Sequence, residues 1–286
     1  MKKTNFALIV SFALAMAPSV QAKSLFDFYP TKAPQQHYRS GDLSDSQSAD
    51  LYSASQKNNS FGDCVDKFPE SKPVPLDIAA QPMQTMALCS DNFAVVYSKI
   101  SKTPLVVVER LNAQLLQDAK GEERTNAFYA DPRIPRGARA ELSDYKGSNL
   151  DRGHQSPAAD APDPKAMAQS FALSNMVPQD PTNNRKIWSK VESDVRKYAQ
   201  RVKGNVFVYT GPLFDQGHQT IGSNQVWVPT RLFKLVYDET SHRAWAYVLV
   251  NGNTPIQKPM DYQEFVQETG LKLLGDLPVS GGISRS

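Results

Sequence analysis

The stretch SNMVPQDPTNNRKIWSKVESDVR, from Ser174 to Arg196, decides how the rest of the chain is arranged. After Pro181 its apolar residues recur at the spacing of one helix face, and Thr182 or Asn183 is a suitable N-cap. The residues of this apolar stripe are Ile187, Val191, Val195 and Val202. The pattern therefore predicts a long helix with one buried face, lying at the centre of the fold.

A second row of side chains runs beside this stripe. It consists of Asn184, Trp188, Glu192 and Arg196, which are spaced by four and are therefore neighbours on the helix surface. Trp188 is expected to lie in the core. Taken alone, Glu192 and Arg196 favour an exposed salt bridge, worth only about a few tenths of a kcal/mol.

Upstream, the stretch DRGHQSP at Asp151–Pro157 holds one of only four histidines in 286 residues. A histidine takes a proton near neutral pH, an arginine binds an anion, and the glycine between them lets the backbone approach a ligand. These properties suit hydrolysis of a phosphodiester. A lone histidine in a polar turn is also a common surface residue, so the downstream helix must support the functional interpretation.

Together, the two stretches closely resemble the DNA/RNA non-specific endonuclease family of the ββα-metal type. This family includes secreted bacterial sugar-nonspecific nucleases and mitochondrial endonuclease G. The resemblance rests on D-R-G-H at Asp151–His154, on S-N-x-x-P-Q at Ser174–Gln179, and on N-x-x-x-W-x-x-x-E from Asn184 to Glu192. It spans about Cys64 to Leu277, and three linked motifs in the right order are far more specific than one.

Hydrolysis of a phosphodiester needs an activated water, neutralised phosphate charge and a stabilised leaving oxygen. The resemblance implies that His154 is the general base and that Asn184 is the protein ligand of a metal ion. Glu192 would hold water in the shell of that ion, and Asp151 would support the site from behind. The implied cofactor is Mg²⁺, with Mn²⁺ or another divalent cation as alternatives, because an amide oxygen and a water shell are sufficient for it.

Arginines are expected to bind the phosphate, and the resemblance implies catalytic roles for Arg152 and Arg196. Family members also carry an arginine five residues before the aspartate that corresponds to Asp131, but this chain has Asn126 there. Further substrate-binding candidates lie in a loop-rich segment and in the basic central helix. These candidates are Arg124, which could replace the missing family arginine, Arg139 and Arg185.

Six short runs rich in valine, leucine and aromatic residues are predicted as strands, at 93–99, 104–111, 205–210, 225–228, 232–237 and 244–250. A final helix is predicted over 261–274, where Asp261 and Glu264 form a capping-box pattern. These elements around one long helix predict an α+β domain with a largely antiparallel central sheet and flanking helices. The resemblance adds a ββα-metal motif.

The N-terminus resembles a targeting segment. Lys2 and Lys3 precede an apolar run from Phe6 to Met16, and Val20–Ala22 supplies small residues at a cleavage position. Residues 1–22 are therefore expected to be a signal peptide and the protein to be secreted or periplasmic, without membrane contact after cleavage. A retained anchor is the alternative, although the run is short for a bilayer. Removal of the two lysines leaves a formal charge of 30 − 29 = +1, so nucleic-acid affinity must come from local patches.

Residues 23–60 are rich in serine, glutamine and aspartate and are expected to be a flexible polar arm or linker. One endonuclease domain is expected over 61–286. Cys64 and Cys89 are the only cysteines, and an exported chain would join them in a disulfide. Neither lies in a CxxC pair or beside a histidine, so a metal-binding or catalytic role is not expected.

The expected function is metal-dependent cleavage of DNA and RNA, with little sequence preference because the implied contacts address the nucleic-acid backbone. The chain has no HExxH, CxxC, G-x-S-x-G or P-loop pattern, which argues against zinc peptidase, serine hydrolase and nucleotide triphosphatase chemistry. Two alternatives remain. One is a catalytically silent nucleic-acid-binding or DNA-uptake protein, and the other is a phosphodiesterase of small nucleotides.

Overall fold

The computed structural model describes residues 43–52, 59–79 and 82–281 of the chain. The predicted signal peptide at 1–22 and positions 23–42 of the predicted arm lie outside the described residues. Within the described ranges, no helix has the length and apolar character needed to cross a membrane.

The strands of the described chain are short to medium in length. They are β1 (Thr85–Cys89), β2 (Phe93–Ser98), β3 (Thr103–Leu111), β4 (Asp151–His154), β5 (Met176–Gln179), β6 (Val206–Leu213), β7 (Thr220–Ile221), β8 (Val226–Trp227), β9 (Arg231–Asp238), β10 (Arg243–Val250) and β11 (Met260–Asp261). The run predicted as a strand at 225–228 is thus only the two residues of β8, which pair with β7 outside the main sheet.

Seven strands form one sheet in the order β1-β2-β3-β6-β9-β10-β11, and every neighbouring pair is antiparallel. The central strands are rich in β-branched and aromatic residues and are buried on both faces. A core cluster that includes Phe233 and Phe265 fills one face, and a second cluster that includes Val195 and Val208 fills the other. The predicted α+β class with a largely antiparallel sheet is confirmed.

The helices flank this sheet. They are α1 (Asp45–Ala49), α2 (Ala113–Asp118), α3 (Leu142–Tyr145), α4 (Pro164–Ser170), α5 (Ser189–Ala199) and α6 (Tyr262–Thr269), with short 3₁₀ turns at Gly62–Lys67, Pro69–Ser71, Ala158–Asp160 and Leu173–Asn175. Helix α6 begins at the predicted capping box of Asp261 and Glu264. It ends before the predicted 274, because Gly270 adopts the left-handed φ of 74° that closes a helix.

The predicted central helix is present, but it begins as six π-helical residues, Asn183–Trp188, before it continues as α5. Neither predicted N-cap side chain caps it. Asp180 does so instead, because its Oδ1 accepts the Asn183 N–H and its carbonyl accepts the Asn184 N–H, each at 2.8 Å. Trp188 is fully buried, as predicted, and the side chain of Asn184 lies on the partly exposed face.

Part of the segment predicted as a flexible arm packs on the domain. Helix α1 carries Asp45, which forms ion pairs with Arg136 at 2.6 Å and with Arg139 at 3.0 Å. The Tyr52 hydroxyl lies 2.6 Å from that of Tyr129, so Tyr52 packs against the main domain. The division of the chain into signal peptide, arm and domain remains a prediction.

The predicted disulfide joins Cys64 and Cys89, with their Cα atoms 5.6 Å apart. It links the 3₁₀ turn at Gly62–Lys67 to the end of β1, an outer strand of the sheet. The turn is otherwise anchored through apolar contacts of Phe61 and Phe68 with the core. The bond therefore closes a loop of 25 residues around one corner of the domain.

Replacement of both cysteines by alanine should lower the free energy of unfolding by about 3 to 4 kcal/mol, because a loop of this length restricts the unfolded chain by that amount. Urea unfolding of the double variant and of the oxidised wild-type protein measures the difference. The nuclease activity that the resemblance implies should stay close to wild type in the folded variant, because neither cysteine belongs to the motifs that carry the resemblance. A double variant as stable as the wild type would contradict the expectation.

Candidate active site

The DRGH stretch forms β4 and pairs antiparallel with β5, so that Asp151 lies opposite Gln179 and His154 lies opposite Met176. The π-helical turn and α5 follow β5 almost directly. Two strands and a helix thus form one continuous unit, which is the ββα arrangement that the resemblance implies. This unit brings the DRGH residues next to the first turn of the central helix.

Close packing between β4 and β5 requires a glycine at position 153. A Cβ atom at this position would lie 1.8 Å from Gln179 Oε1 and 2.7 Å from Gln179 Cβ. The Gln179 side chain cannot simply rotate away, since it is fully buried and its Nε2 donates to Asn183 Oδ1 at 2.7 Å. Gln179 of β5 therefore packs directly on the backbone of Gly153 and also binds Asn183 at the start of the helix. A side chain at position 153 would displace Gln179.

Gly153→Ala should destabilise the protein by about 1 to 3 kcal/mol, as expected for overpacking a buried site. The displaced Gln179 would also pull on Asn183, so activity should fall further than stability alone explains. Gly62→Ala is the matched control, because its Cβ would meet only Ser60 Oγ at an ordinary 3.7 Å. Urea midpoints that are equal for the two variants would show that the hairpin tolerates the change.

The imidazole of His154 is buried between aromatic rings. The ring centroids of Phe171 and Phe128 lie 5.0 and 5.9 Å away. Burial, together with the nearby charges of Arg124 and Arg152, lowers the pKa of His154 to about 3. Its Nε2 has no hydrogen-bond partner in the described part of the chain. The side chain is thus a neutral base with a free lone pair or N–H at neutral pH.

Asn184 is held in one orientation by Asp151. The Asn184 Nδ2 donates to Asp151 Oδ2 at 2.9 Å, which leaves the amide oxygen Oδ1 without a hydrogen bond among the described residues. Arg185 also binds this carboxylate, with its NH2 group 2.6 Å from Oδ1. Burial alone would raise the pKa of Asp151, but the bonds from Arg185 and Asn184 outweigh it and hold the pKa below its ordinary value. Asp151 is therefore an anion that fixes the amide.

A cleft of about 720 Å³ is lined by Asp151 and Asn184, whereas His154 is separated from it by the ring of Phe128, which lines the cleft. Its charged walls are mostly basic, because Arg124, Lys146, Arg152 and Arg185 face Asp151 as the one acidic side chain of the lining. The remaining lining consists of polar and apolar residues of β4 and of the loop around α3: Phe128, Leu142, Ser143, Tyr145, Leu150 and Asn184. The cleft can therefore hold a polyanion against Asn184, with the Phe128 ring between the cleft and His154.

Arg124 lies in the cleft, whereas Asn126 stands at the position of the missing family arginine. The Arg124 Nε donates to Asn126 Oδ1 at 2.8 Å, and its guanidinium lies 4.9 Å from the Phe171 ring. Asn126 adopts a left-handed φ of 51°, which asparagine tolerates better than most residues. Burial lowers the pKa of Arg124. Arg152 lies on the same wall, 4.0 Å from the Phe128 ring.

Glu192 and Arg196 do not form the exposed salt bridge that they favour when taken alone. Arg196 instead pairs through Nε with Asp160, which is almost completely buried. Its guanidinium is therefore engaged with a carboxylate beside the site and does not line the cleft. Burial raises the pKa of Glu192 to about 7, despite the opposing charges of Lys234 and Arg196. Neither Glu192 nor Arg196 is among the residues that line the cleft, and the two charges interact with each other.

The assignment of Arg139 to substrate binding is corrected by its position. Its side chain is 4 % exposed and is engaged with Asp45, Glu141 and the carbonyl of Asp131. It cannot reach a polyanion in the cleft without breaking these contacts. Arg139 therefore anchors α1 to the segment between α2 and β4. This segment is loop-rich, as predicted.

Several residues in or near the cleft were not identified from the sequence. Lys146 and Phe128 line the cleft but lie in irregular segments without a periodic pattern. Glu109 and Lys234 are buried on β3 and β9, close to the site. The sequence could have indicated Glu109 and Lys234, because each is a charged residue within a mostly apolar strand.

The donor set fits a hydrated divalent cation. A cage of three or more His, Cys, Asp or Glu side chains does not occur among the described residues. Asn184 offers an amide oxygen whose orientation is fixed by Asp151. Glu192 follows on the same helix, and its charge interacts with that of Arg124, which lines the cleft. Magnesium keeps several of its waters and needs few protein ligands, so one oriented amide oxygen is a chemically suitable holder.

Several nucleases are similar to this chain over somewhat less than two thirds of its length. Nuclease 1, mitochondrial, of Schizosaccharomyces pombe is 33% identical over 207 residues, covering 64% of each chain. Endonuclease G, mitochondrial, of Homo sapiens is 32% identical over 188 residues, covering 62% of this chain and 63% of its own. The chain thus spans less than two thirds of the length of these relatives.

A solved structure has the same architecture. The EndoG chain in the crystal structure of an EndoG/EndoGI complex superposes with a TM-score of 0.62 at 26% sequence identity. The match covers 68% of this chain and 89% of that chain. The mixed helices and the large antiparallel sheet are therefore those of a known nuclease fold.

The predicted secreted or periplasmic location is wrong by these comparisons. The relatives from Schizosaccharomyces pombe, Homo sapiens and Saccharomyces cerevisiae are named as mitochondrial nucleases. The prediction rested on a short apolar run behind two lysines, which is a weakly specific pattern in residues outside those described.

The range 77–275 matches a family model for DNA/RNA non-specific endonucleases. This range contains the β4–β5 hairpin, the π-helical turn, α5 and the basic cleft. It makes up well over half of the chain, and the motifs within it occur in the order that the resemblance requires. The chain belongs to the DNA/RNA non-specific endonuclease family.

Proposed function

We propose that this chain cleaves DNA and RNA within the strand, by metal-dependent hydrolysis of phosphodiester bonds and with little sequence preference. The observation that supports this proposal best is the state of His154. Its imidazole is buried and neutral, and its Nε2 has no partner among the described residues. It lies in the same ββα unit as Asn184, behind a basic cleft.

In the proposed reaction, His154 removes a proton from a water molecule while the water oxygen attacks phosphorus. The new P–O bond forms as the bond to the leaving 3′ oxygen breaks. A neutral imidazole is the form that can accept this proton, and burial holds His154 in that form before substrate binds. The negative charge of a bound phosphate would raise its proton affinity as the water is deprotonated. The aromatic neighbours Phe128 and Phe171 hold the ring in place and exclude bulk water from its rear side.

Asn184 and Glu192 are the residues proposed to hold the cation. Asn184 would bind it through Oδ1, since its Nδ2 is occupied by Asp151. Glu192 would orient water of its shell when ionised. When bound, such a cation would neutralise charge on the phosphate and on the leaving oxygen.

Arg152 and Arg124 are proposed to bind the phosphate, because both lie in the cleft and neither has a carboxylate partner among the described residues. Arg185 lies at the exposed rim, where it neutralises Asp151 and can contact the nucleic-acid backbone. Arg196 is proposed to act indirectly, because it already binds Asp160. Basic side chains that address phosphates give affinity without sequence information.

The test uses purified protein with circular plasmid DNA and with single-stranded RNA, in magnesium and in EDTA. We expect linearisation followed by degradation of the plasmid and loss of both activities in EDTA. Plasmid that is bound but intact would instead identify a silent binding protein. Hydrolysis of dinucleotides alone would identify an enzyme of small nucleotides, and either result would overturn the proposal.

A further inference from the structure

A second groove of the described chain lies between α5 and β10. Its volume is about 260 Å³, and its described lining residues are all different from those of the cleft. The lining includes three side chains from α5 and the turn after it, and three from β10: Asp194, Tyr198, Arg201, Arg243, Trp245 and Tyr247. We refer to this cavity as the helix–strand groove.

The spacing of residues in the sequence explains both walls of this groove. Residues three apart lie on one face of a helical turn, and the Arg201 N–H donates to the Tyr198 carbonyl at 2.9 Å. Alternate residues of a strand point to the same side of a sheet, and on β10 these are Arg243, Trp245 and Tyr247. This is the side that α5 covers, because the Trp245 ring contacts that of Tyr198.

Two half-buried tyrosine rings line the groove, Tyr198 and Tyr247. The Tyr198 hydroxyl donates to Asp238 Oδ2 at 2.7 Å, and its ring meets Trp245 edge to face with centroids 4.7 Å apart. These contacts hold the Tyr198 ring in one orientation. Burial and the bond to Asp238 raise the pKa of Tyr198 to about 12, while the charge of Arg243 opposes the rise. The ring is therefore uncharged at neutral pH and does not repel an anion.

The arginines of the groove differ from most others in the described ranges. Most described arginines form an ion pair with a carboxylate. The exceptions among the described residues are Arg124 and Arg152, which line the cleft, and Arg201 and Arg243, which line the groove. The groove therefore shares with the cleft the feature that is proposed to bind phosphate there.

The accessible charges of the groove are positive. Asp194 is the one acidic side chain among its described lining residues, and Lys190 neutralises it through an ion pair of 2.5 Å. Asp238, which binds Tyr198, is almost completely buried and also accepts hydrogen bonds from two backbone N–H groups. The side chains of Arg201 and Arg243 are exposed, so they are free to meet a ligand from solution.

A single strand of DNA or RNA offers both kinds of partner that this groove requires. Unpaired bases stack on aromatic side chains, and the phosphates between them bind arginines. In a duplex the faces of the bases are already stacked on one another. An acidic peptide would bind the arginines but would leave the two tyrosine rings unused. The combination of rings and unpaired arginines therefore favours single-stranded nucleic acid.

The groove and the cleft lie along the same helical run of the chain. Asn184 lines the cleft and Arg201 lines the groove, and they are 201 − 184 = 17 positions apart. At a rise of about 1.5 Å per residue, this run spans about 25 Å. Phosphates of a stacked strand repeat about every 3.4 Å, so about seven or eight nucleotides cover that distance. A single strand of about 20 nucleotides is therefore long enough to occupy both places.

We propose that the helix–strand groove is a second nucleic-acid site, which binds an unpaired part of the substrate outside the cleft, with bases against Tyr198 and Tyr247 and phosphates at Arg201 and Arg243. The proposal rests on the proposed function, because it takes nucleic acid to be the substrate. It implies that a long single strand is held at two linked sites and a short one at the cleft alone. Two linked sites bind more tightly than either one, because the second contact is intramolecular.

The first test measures binding in EDTA by fluorescence anisotropy. Wild type and Tyr247→Ala are titrated against labelled single strands of about 5 and about 20 nucleotides and against a duplex of about 20 base pairs. We expect Tyr247→Ala to bind the long single strand at least about fivefold more weakly, which is the lower end of the contribution of one stacked base. Its affinity for the short strand and for the duplex should stay within about twofold of wild type.

The salt dependence of binding tests the two arginines. Each phosphate contact with a single strand contributes about 0.7 to the slope of log K against log salt concentration. Arg201→Ala and Arg243→Ala should therefore each reduce the slope for the long strand by about 0.7. If Tyr247→Ala does not fold, these two exposed positions decide, because a structural defect leaves the number of released counterions unchanged.

Two variants serve as matched controls. Tyr247→Phe keeps the aromatic ring and should bind the long strand as the wild type does. Lys272→Ala removes an exposed lysine beside α6, which packs on the other face of the sheet, and should leave the salt slope unchanged.

Photo-cross-linking locates the bound strand. Long single strands that carry iodouracil at one position each are irradiated with the wild-type protein, and the cross-linked peptides are identified by mass spectrometry. We expect cross-links to Tyr198 or Tyr247 from bases several nucleotides away from those that cross-link in the cleft.

Wild-type affinity of folded Tyr247→Ala with unchanged salt slopes for both arginine variants, or cross-links confined to the cleft, would overturn the proposal. If the same variants converted a dimeric wild type into a monomer without changing its affinity, the groove would bind a second copy of the chain, which also overturns it. Binding and cross-linking need no cleavage. A wild-type protein that binds as expected but does not cut nucleic acid would therefore refute the proposed function alone.

Discussion

Replacement of His154 by alanine should lower the rate of plasmid cleavage by about a hundred- to ten-thousand-fold, the range that a general base supplies. The variant keeps Asn184, Arg124 and Arg152, so nucleic-acid binding should persist. The measurement compares initial rates on plasmid and on RNA under saturating magnesium, with binding followed by fluorescence anisotropy in EDTA. His154 is a good position for this test, because the substitution removes a side chain without a hydrogen-bonded partner at Nε2.

The matched control is His218→Ala. Its ring packs against that of Trp227 with centroids 3.9 Å apart, and neither residue lines the cleft. This variant should cleave at nearly the wild-type rate. If His154→Ala kept more than about a tenth of wild-type activity, the general-base factor would be missing and another group would have to take the proton.

The pH dependence of the wild type should differ from the simplest expectation for a histidine base. A base with an ordinary pKa near 6.5 would lose activity as the pH falls through that value. In this protein burial and two arginines lower the pKa of His154 to about 3, so the neutral form persists throughout the range from about pH 5 to about pH 9. Any acidic loss of activity near pH 7 should instead follow Glu192, whose raised pKa lies there.

The elements that were predictable from sequence are those set by local spacing. In DRGH the four residues alternate along one strand, and Asn184, Trp188 and Glu192 share a helix row. That this strand and this helix meet in one unit is what the family resemblance implied. The turn chemistry at Asp261 and Glu264 correctly located the start of α6. Such local structure is determined by residues close together in sequence and does not depend on contacts with distant segments.

Partners that are distant in sequence were not predictable. Arg139 binds Asp45, 94 positions away, and Arg196 binds Asp160, 36 positions away. Both guanidinium groups are chemically able to bind phosphate. Each is instead paired with a carboxylate that is distant in sequence. The irregular segment around Arg124 has no periodicity, so the sequence could not show that this arginine faces the cleft while Arg139 turns inward.

The same reason explains why the direction of the pKa shift of His154 was not predictable from the sequence. Its neighbours in sequence are Asp151 and Arg152, which shift a pKa in opposite directions. The deciding groups are the rings of Phe128 and Phe171 and the charge of Arg124, all from other segments. Burial therefore outweighs every local effect, and burial is a property of the whole fold.

Asn184→Ala should lose most of the magnesium-dependent cleavage while the protein stays folded. Metal catalysis supplies several kcal/mol of charge stabilisation in the transition state, so the loss of its proposed protein ligand should cost about a hundredfold or more in rate. The side chain makes one hydrogen bond, to Asp151, whose loss costs about 1 kcal/mol of stability. The rate is measured over a magnesium titration, beside the urea midpoint of the variant.

Asp151→Ala separates binding of the cation from orientation of its ligand. This variant keeps the amide oxygen of Asn184 but removes the carboxylate that holds the amide and Arg185. A supporting residue behind a metal ligand contributes about ten- to a hundredfold, so Asp151→Ala should fall between the wild type and Asn184→Ala. The exposed amide variant Gln200→Ala should behave as wild type. If Asn184→Ala responded to magnesium as the wild type does, the cation would be held elsewhere, and Asp151 would serve only to anchor Arg185 and the helix.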